Sequence, residues 1–247
     1  MRTKGNYYLY LKKNPPMKKL SLVLFVLFFS SCAELQEIAS QYPAGVSDTE
    51  ISSGLRQALD MGIDKQVTKL TQEDGFFSNE LVRIGLPPEL QKVDKTLRDV
   101  GLGSLADEGL KILNRAAEDA VKEATPIFVD AVSQITFNDA RNILLGGEDA
   151  ATIYLSGKTE TQLYDKFNPV VKNSLDKVGA TEIWKNIITR YNNLPLTNNV
   201  NPDINDYVTN EALNGVYTMI AVEEKEIRDK FSSRSTDLLK RVFALQD

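Results

Sequence analysis

Leu213, Tyr217, Ile220, Glu224 and Ile227 recur at steps of four and three, which puts them on one helix face with Glu224 as the charged residue in an apolar stripe. A carboxylate there must reach the edge of the stripe or be paired. Arg228 follows one turn later, and its guanidinium can take the carboxylate in two hydrogen bonds. The pair reads either as a structural ion pair or as a ligand-binding or acid–base carboxylate with its partner. A second group, Asn114, Arg115 and Glu118, lies beside an alanine-rich stripe. It reads as polar chemistry facing a cleft, or as the polar flank of a packed helix with Glu118 and Lys122 at i,i+4 spacing. A third group, Asn199, Asn201, Asp203 and Asn205, alternates oxygen donors like the start of a calcium loop. Its sixth position is Ile204 rather than glycine, and its twelfth is Asn210 rather than glutamate. Turn and helix-cap chemistry explains those residues better, so no metal site is expected.

Other chemistries fall away by composition. The chain has no histidine and a single cysteine, Cys32. Cys/His zinc sites, histidine-dependent triads and internal disulfides are therefore excluded. Gly146-Gly147-Glu148 lacks the Lys-Ser/Thr of a phosphate loop. No catalytic residue and no cofactor is assigned. Of 29 basic residues six lie in residues 1–31, which hold no acidic residue, so the rest of the chain has a net charge of −11. Such a body argues against nucleic acid, whose phosphates need Lys and Arg, and against electrostatic docking on anionic lipid.

The basic residues at the start belong to a targeting signal. Met17-Lys18-Lys19 precedes an apolar run from Leu20 to Phe29, followed by Ser30-Ser31-Cys32. This is the layout of a secretory signal peptide, and the run is far short of the ~20 residues of a spanning helix. Small residues before a cysteine resemble the lipobox of bacterial lipoproteins, in which the signal is cut before a cysteine that is then acylated. The organisation expected is an extension that precedes the true start at Met17 (1–16), a lipoprotein signal peptide (17–31), lipidated Cys32 with a tether (32–46), and one domain (47–247). Ala33 after the cysteine favours the outer membrane, and Glu34 and Glu37 leave export to the cell surface open.

The domain reads as all-α, a single multi-helix unit of about eight helices. Ser47 with Glu50 forms a capping box ahead of the stripe Ile51, Leu55, Ala58, Leu59, Ile63, Val67 and Leu70. Asp74-Gly75 marks a turn. Phe76-Phe77 and Leu81 to Ile84 read as short extended pieces, enough for one β-hairpin. Leu90, Val93, Leu97 and Val100 face one helix. The central helix carries Ala106, Leu110, Leu113, Ala117, Ala120 and Ala124 on one face, and its small residues predict close contact on several sides. A helix follows from Thr125-Pro126, then another capped by Thr136 and Asp139 and ended by Gly146-Gly147. Asp149 to Leu155 is expected as a short helix ended by Gly157, and Thr159 with Gln162 as the cap of a longer one kinked at Pro169. Ile183, Trp184, Ile187, Ile188 and Tyr191 line the next. A polar loop from Asn192 to Asp206 leads to helices at Tyr207–Lys230 and around Leu238, Leu239, Val242 and Phe243.

A series of short pieces in order carries a family resemblance: Asp74-Gly75-Phe76, Arg83-Ile84-Gly85-Leu86-Pro87, Asn114-Arg115-Ala116-Ala117-Glu118, Pro126-Ile127-Phe128, Asp139-Ala140, Ala150-Ala151-Thr152-Ile153-Tyr154 and Glu224-Lys225-Glu226-Ile227-Arg228. Their spacing resembles the bacterial family called domain of unknown function 4197, over nearly all of residues 48–247. The resemblance implies an envelope protein, often a lipoprotein, and brings no reaction, ligand or catalytic residue. Three functions stay open: a lipid-anchored binding or scaffold module with an envelope protein as partner, an enzyme using buried carboxylates on an envelope substrate, and a carrier for an apolar small molecule held between helices.

Overall fold

The first helix starts where the capping box places it. Ser47 Oγ accepts from the Glu50 N–H at 3.2 Å, and the Glu50 carboxylate accepts from the Ser47 N–H at 3.0 Å. In the computed structural model the described residues are 45–87, 91–99, 101, 103–193, 195, 199 and 201–247. The signal peptide, Cys32 and most of the tether lie outside them, as do Leu90 and Val100. Helices α1 (Asp48–Leu70), α2 (Gln91–Asp99), α3 (Gly103–Val121), α4 (Ala124–Ser133), α5 (Phe137–Leu144), α6 (Ala150–Lys177), α7 (Ala180–Asn192), α8 (Ile204–Asp229) and α9 (Asp237–Phe243) follow in order, with a 3-10 turn at Phe231–Ser233.

Helices α3, α6 and α8 pack against one another, and α1 covers α8 while also touching α4, α5 and α9. The alanine face is the reason α3 fits between two long neighbours. Ala116, Ala117, Ala120, Val121 and Ala124 are all buried, whereas Ala106 near its start is half-buried. The whole α1 stripe from Ile51 to Leu70 is buried as well. The faces expected at Val93, Leu97 and Ile187 lie outside the described side chains.

Four expectations need correction. No strand forms among the described residues, and Thr71 to Val82 runs as a series of turns. Asp74 adopts φ +61, and a Cβ on Gly75 would stand 2.6 Å from the carbonyl oxygens of Lys69 and Leu70, so the turn admits only glycine there. Second, α6 runs unbroken through Gly157, with Pro169 inside it. Thr159 is inside it, its hydroxyl donating to the Leu155 carbonyl at 2.7 Å. A mid-helix glycine costs only ~1 kcal/mol, and the buried row Leu155, Thr159, Leu163, Phe167, Val171 and Leu175 outweighs it. Third, Ile183 points outward while Trp184 and Ile188 are buried. Fourth, the polar loop ends earlier, because Asp203 caps α8 by accepting from the Asn205 and Asp206 N–H groups. Asp203 thus serves as a helix cap, the reading preferred above over a calcium ligand.

Candidate functional site

The three residues beside the alanine stripe hold the turns of residues 72–87 against α3. Asn114 is buried, and its amide mimics a peptide group: Oδ1 accepts from the Ile84 N–H at 2.8 Å, and Nδ2 donates to the Ile84 and Leu110 carbonyls at 2.8 and 2.7 Å. Ile84 thereby obtains from one side chain what a neighbouring strand would have supplied. Glu118 is 2 % exposed. Its Oε1 accepts from the Phe76 N–H at 3.2 Å and its Oε2 meets Arg115 Nη1 at 2.8 Å. Arg115 also reaches Glu73 at 3.2 Å and Asp74 at 3.5 Å. The expected Glu118–Lys122 pair does not form, since Lys122 turns to Asp119 at 2.8 Å. Phe76, held by Glu118, is fully buried and packs on α8, where a Cβ at Gly215 would lie 2.5 Å from its ring.

Burial pushes the Glu118 carboxyl above the ordinary range, and the Phe76 N–H and Arg115 pull it partly back. Folding therefore disfavours the charged form. The stability Glu118 contributes is fully present below its unfolded carboxyl pKa and is lost as pH rises through the higher folded value. Glu118→Gln keeps an oxygen for the Phe76 N–H and carries no charge. Urea midpoints measured across mildly acid to neutral pH should shift steadily in favour of Glu118→Gln as pH rises. A gap that stays constant over that range would show that Glu118 does not titrate with folding.

Glu224 and Arg228 join three elements. Both side chains are buried, at 5 % and 7 % exposure, and Arg228 donates Nη2 and Nε to Glu224 Oε1 at 2.7 and 3.0 Å. Glu224 also caps α6: Oε1 accepts from the Ala151 N–H at 2.9 Å, while Oε2 accepts from the Thr152 N–H at 2.9 Å and the Thr152 hydroxyl at 2.8 Å. Those amides belong to the first turn of α6, where the helix dipole favours a negative charge. Arg228 meets the opposite end of α5, donating to the Ile143 and Leu144 carbonyls at 2.8 and 3.0 Å. One ion pair on α8 thus closes both sides of the Leu145–Asp149 connection.

Sequence reasoning missed the neighbouring charges. Arg234 is buried; it donates to the Ile227 and Arg228 carbonyls at 3.0 and 2.8 Å and grips Asp247 through two bonds of 2.6 and 2.7 Å. It follows a 3-10 turn rather than a periodic helix, so no spacing marks it. Glu223 is buried with Lys65 at 2.7 Å and Gln66 at 2.6 Å. Its signal was adjacency to Glu224, on the flank that α1 covers.

A void of about 20 Å³, room for one water, is lined by Glu223, Glu224, Arg228 and apolar residues such as Leu55 and Ile63; Glu118 is not among them. An apolar groove of about 440 Å³ lies between α3 and α7, lined by Leu86, Ile112, Leu113, Val178, Ile183 and Trp184. A family model described as Protein of unknown function (DUF4197) matches residues 45–244. No curated protein and no solved structure matches the chain.

Proposed function

The chain belongs to the DUF4197 family, and from that premise we propose that it is a lipid-anchored protein of the bacterial cell envelope whose helical domain acts as a non-catalytic binding or scaffold module. The observation that carries the non-catalytic reading is Glu224. It accepts five hydrogen bonds, three from the α6 start and two from Arg228, which leaves its lone pairs directed into the fold. Asn114 likewise faces backbone groups, and buried Glu118 sets Oε1 on the Phe76 N–H and Oε2 against Arg115 rather than toward an open cleft. A general acid or base needs hydrogen-bond reach to a substrate. The groove between α3 and α7 supports the second reading, a carrier of an apolar ligand.

Attachment to the outer membrane in this proposal rests on Cys32. Among the described residues no helix is long and apolar enough to cross a membrane. Each buried methylene contributes ~0.8 kcal/mol, and one acyl chain alone binds only reversibly, so a lipoprotein's several chains are needed for stable retention. Wild-type protein should sediment with outer membranes and Cys32→Ala should appear in the soluble fraction. Equal fractionation of the two would overturn the anchor. An affinity pull-down of the wild-type chain from membranes, with mass spectrometry of proteins and lipids, then separates the binding reading from the carrier reading.

A further inference from the structure

A second cleft opens between α6 and α4. One wall is α6, which presents Tyr154, Lys158 and Gln162 at successive i,i+4 positions; the facing wall presents Asp130 and Gln134 at the end of α4. Asp139, at the start of α5, closes one end, and Ile127 and Ala131 complete the α4 side. The cleft measures about 300 Å³, at the lower end of the small-molecule range.

The charged groups of the cleft differ in how directly they are partnered. Asp139 Oδ2 accepts from the Thr136 N–H and hydroxyl at 3.0 and 2.7 Å, and these bonds hold its carboxyl below the ordinary range. Burial, and then the Asp139 charge, hold the Tyr154 phenol above its ordinary value. Asp139 is therefore already engaged by Thr136 at that end of the cleft. Lys158 is exposed, its Nζ lies over the Tyr154 ring 5.6 Å from the centre, and its charge helps hold the Asp139 carboxyl low, but it forms no direct ion pair among the described residues. Asp130, across the cleft, takes only Gln134 Nε2 at 2.8 Å on Oδ2 and has no cationic partner among the described residues. A cation on one wall and a carboxylate on the other, in one cleft and not paired with each other, match a ligand that carries both opposite charges.

We propose that the cleft between α4 and α6 binds a small zwitterion of amino-acid or dipeptide size, its carboxylate on Lys158 and Gln162 and its ammonium on Asp130. This deepens the reading of the domain as a binding module and rests on it, but not on the anchor at Cys32. The test is calorimetric titration of the full chain in detergent with L-alanyl-L-alanine, its N-acetyl derivative and its C-terminal amide. The expected result is saturable binding of the free dipeptide, weakened about fivefold or more by either cap. Lys158→Met should weaken the free dipeptide by a similar factor and leave the C-terminal amide unaffected; Asp130→Asn should do the same against the N-acetyl form. Both side chains are exposed, and unchanged thermal midpoints confirm that the variants fold. Absence of saturable heat up to about 10 mM, equal binding of capped and free peptides, or full binding by both variants would each overturn the proposal. Those failures leave the fractionation of Cys32→Ala unaffected, so the site and the anchor are judged separately.

Discussion

Arg228→Met should destabilise the domain by roughly 3–5 kcal/mol, the cost of breaking a buried pair by removing one partner. The substitution leaves Glu224 buried without its cation and the Ile143 and Leu144 carbonyls without their donors. Glu224→Gln should fall in a similar range. Both carboxylate oxygens accept from N–H groups, so an amide nitrogen placed at either one sets donor against donor. The double variant should lose less than the sum, since either change already dismantles the shared network. An exposed pair would give only about 0–1 kcal/mol, so the two cases are well separated in urea denaturation. A catalytic Glu224 predicts the opposite sign, because active-site residues often trade stability for activity. Additive effects near zero, or a stabilised Glu224→Gln, would refute the structural role.

Ala117→Leu should cost about 1–3 kcal/mol through overpacking. Ala117 has no exposed surface, and its helix lies against both α6 and α8. Helix propensity offers no offset worth counting, since leucine falls only a few tenths below alanine. Ala106→Leu is the control on the same stripe. Ala106 is half-buried near the start of α3, and its change should stay within about 0.5 kcal/mol. Equal effects at the two positions, or an unchanged urea midpoint for Ala117→Leu, would mean that the alanine face is not what sets the spacing of the three central helices.

What the sequence made legible, and what it hid, divides by the range of the interaction. Glu224 and Arg228 are four residues apart on one face, so their pairing could be read directly. The amides of Ala151 and Thr152, which share the same carboxylate, come from a distant helix and left no mark in the spacing. The capping boxes at Ser47–Glu50 and Thr136–Asp139 were read correctly because each is complete within four residues. The same logic misled at Gly157 and Thr159: a local cap signal was present, but long-range burial along α6 prevailed. Between Phe76 and Ile84 the apolar residues suggested strands. They are instead the anchors of turns whose backbone is satisfied by Glu118 and Asn114 from another helix. Arg234 lies beyond such reading altogether, since two carbonyls and Asp247 converge on it outside any periodic element.

That the buried polar side chains of this domain serve its backbone can be measured at four amides. The N–H groups of Phe76, Ile84, Ala151 and Thr152 donate to Glu118, Asn114 and Glu224 side-chain oxygens. Ala151 and Thr152 sit in a first helical turn, where amides have no carbonyl partner within the helix and ordinarily exchange fast. Native-state hydrogen exchange should show all four protected close to the global unfolding limit, with Ala151 and Thr152 losing protection in Glu224→Ala and Phe76 losing it in Glu118→Ala. Rapid exchange of these amides in the wild-type protein would contradict the account, because it would leave Glu118 and Glu224 free for a ligand or a reaction.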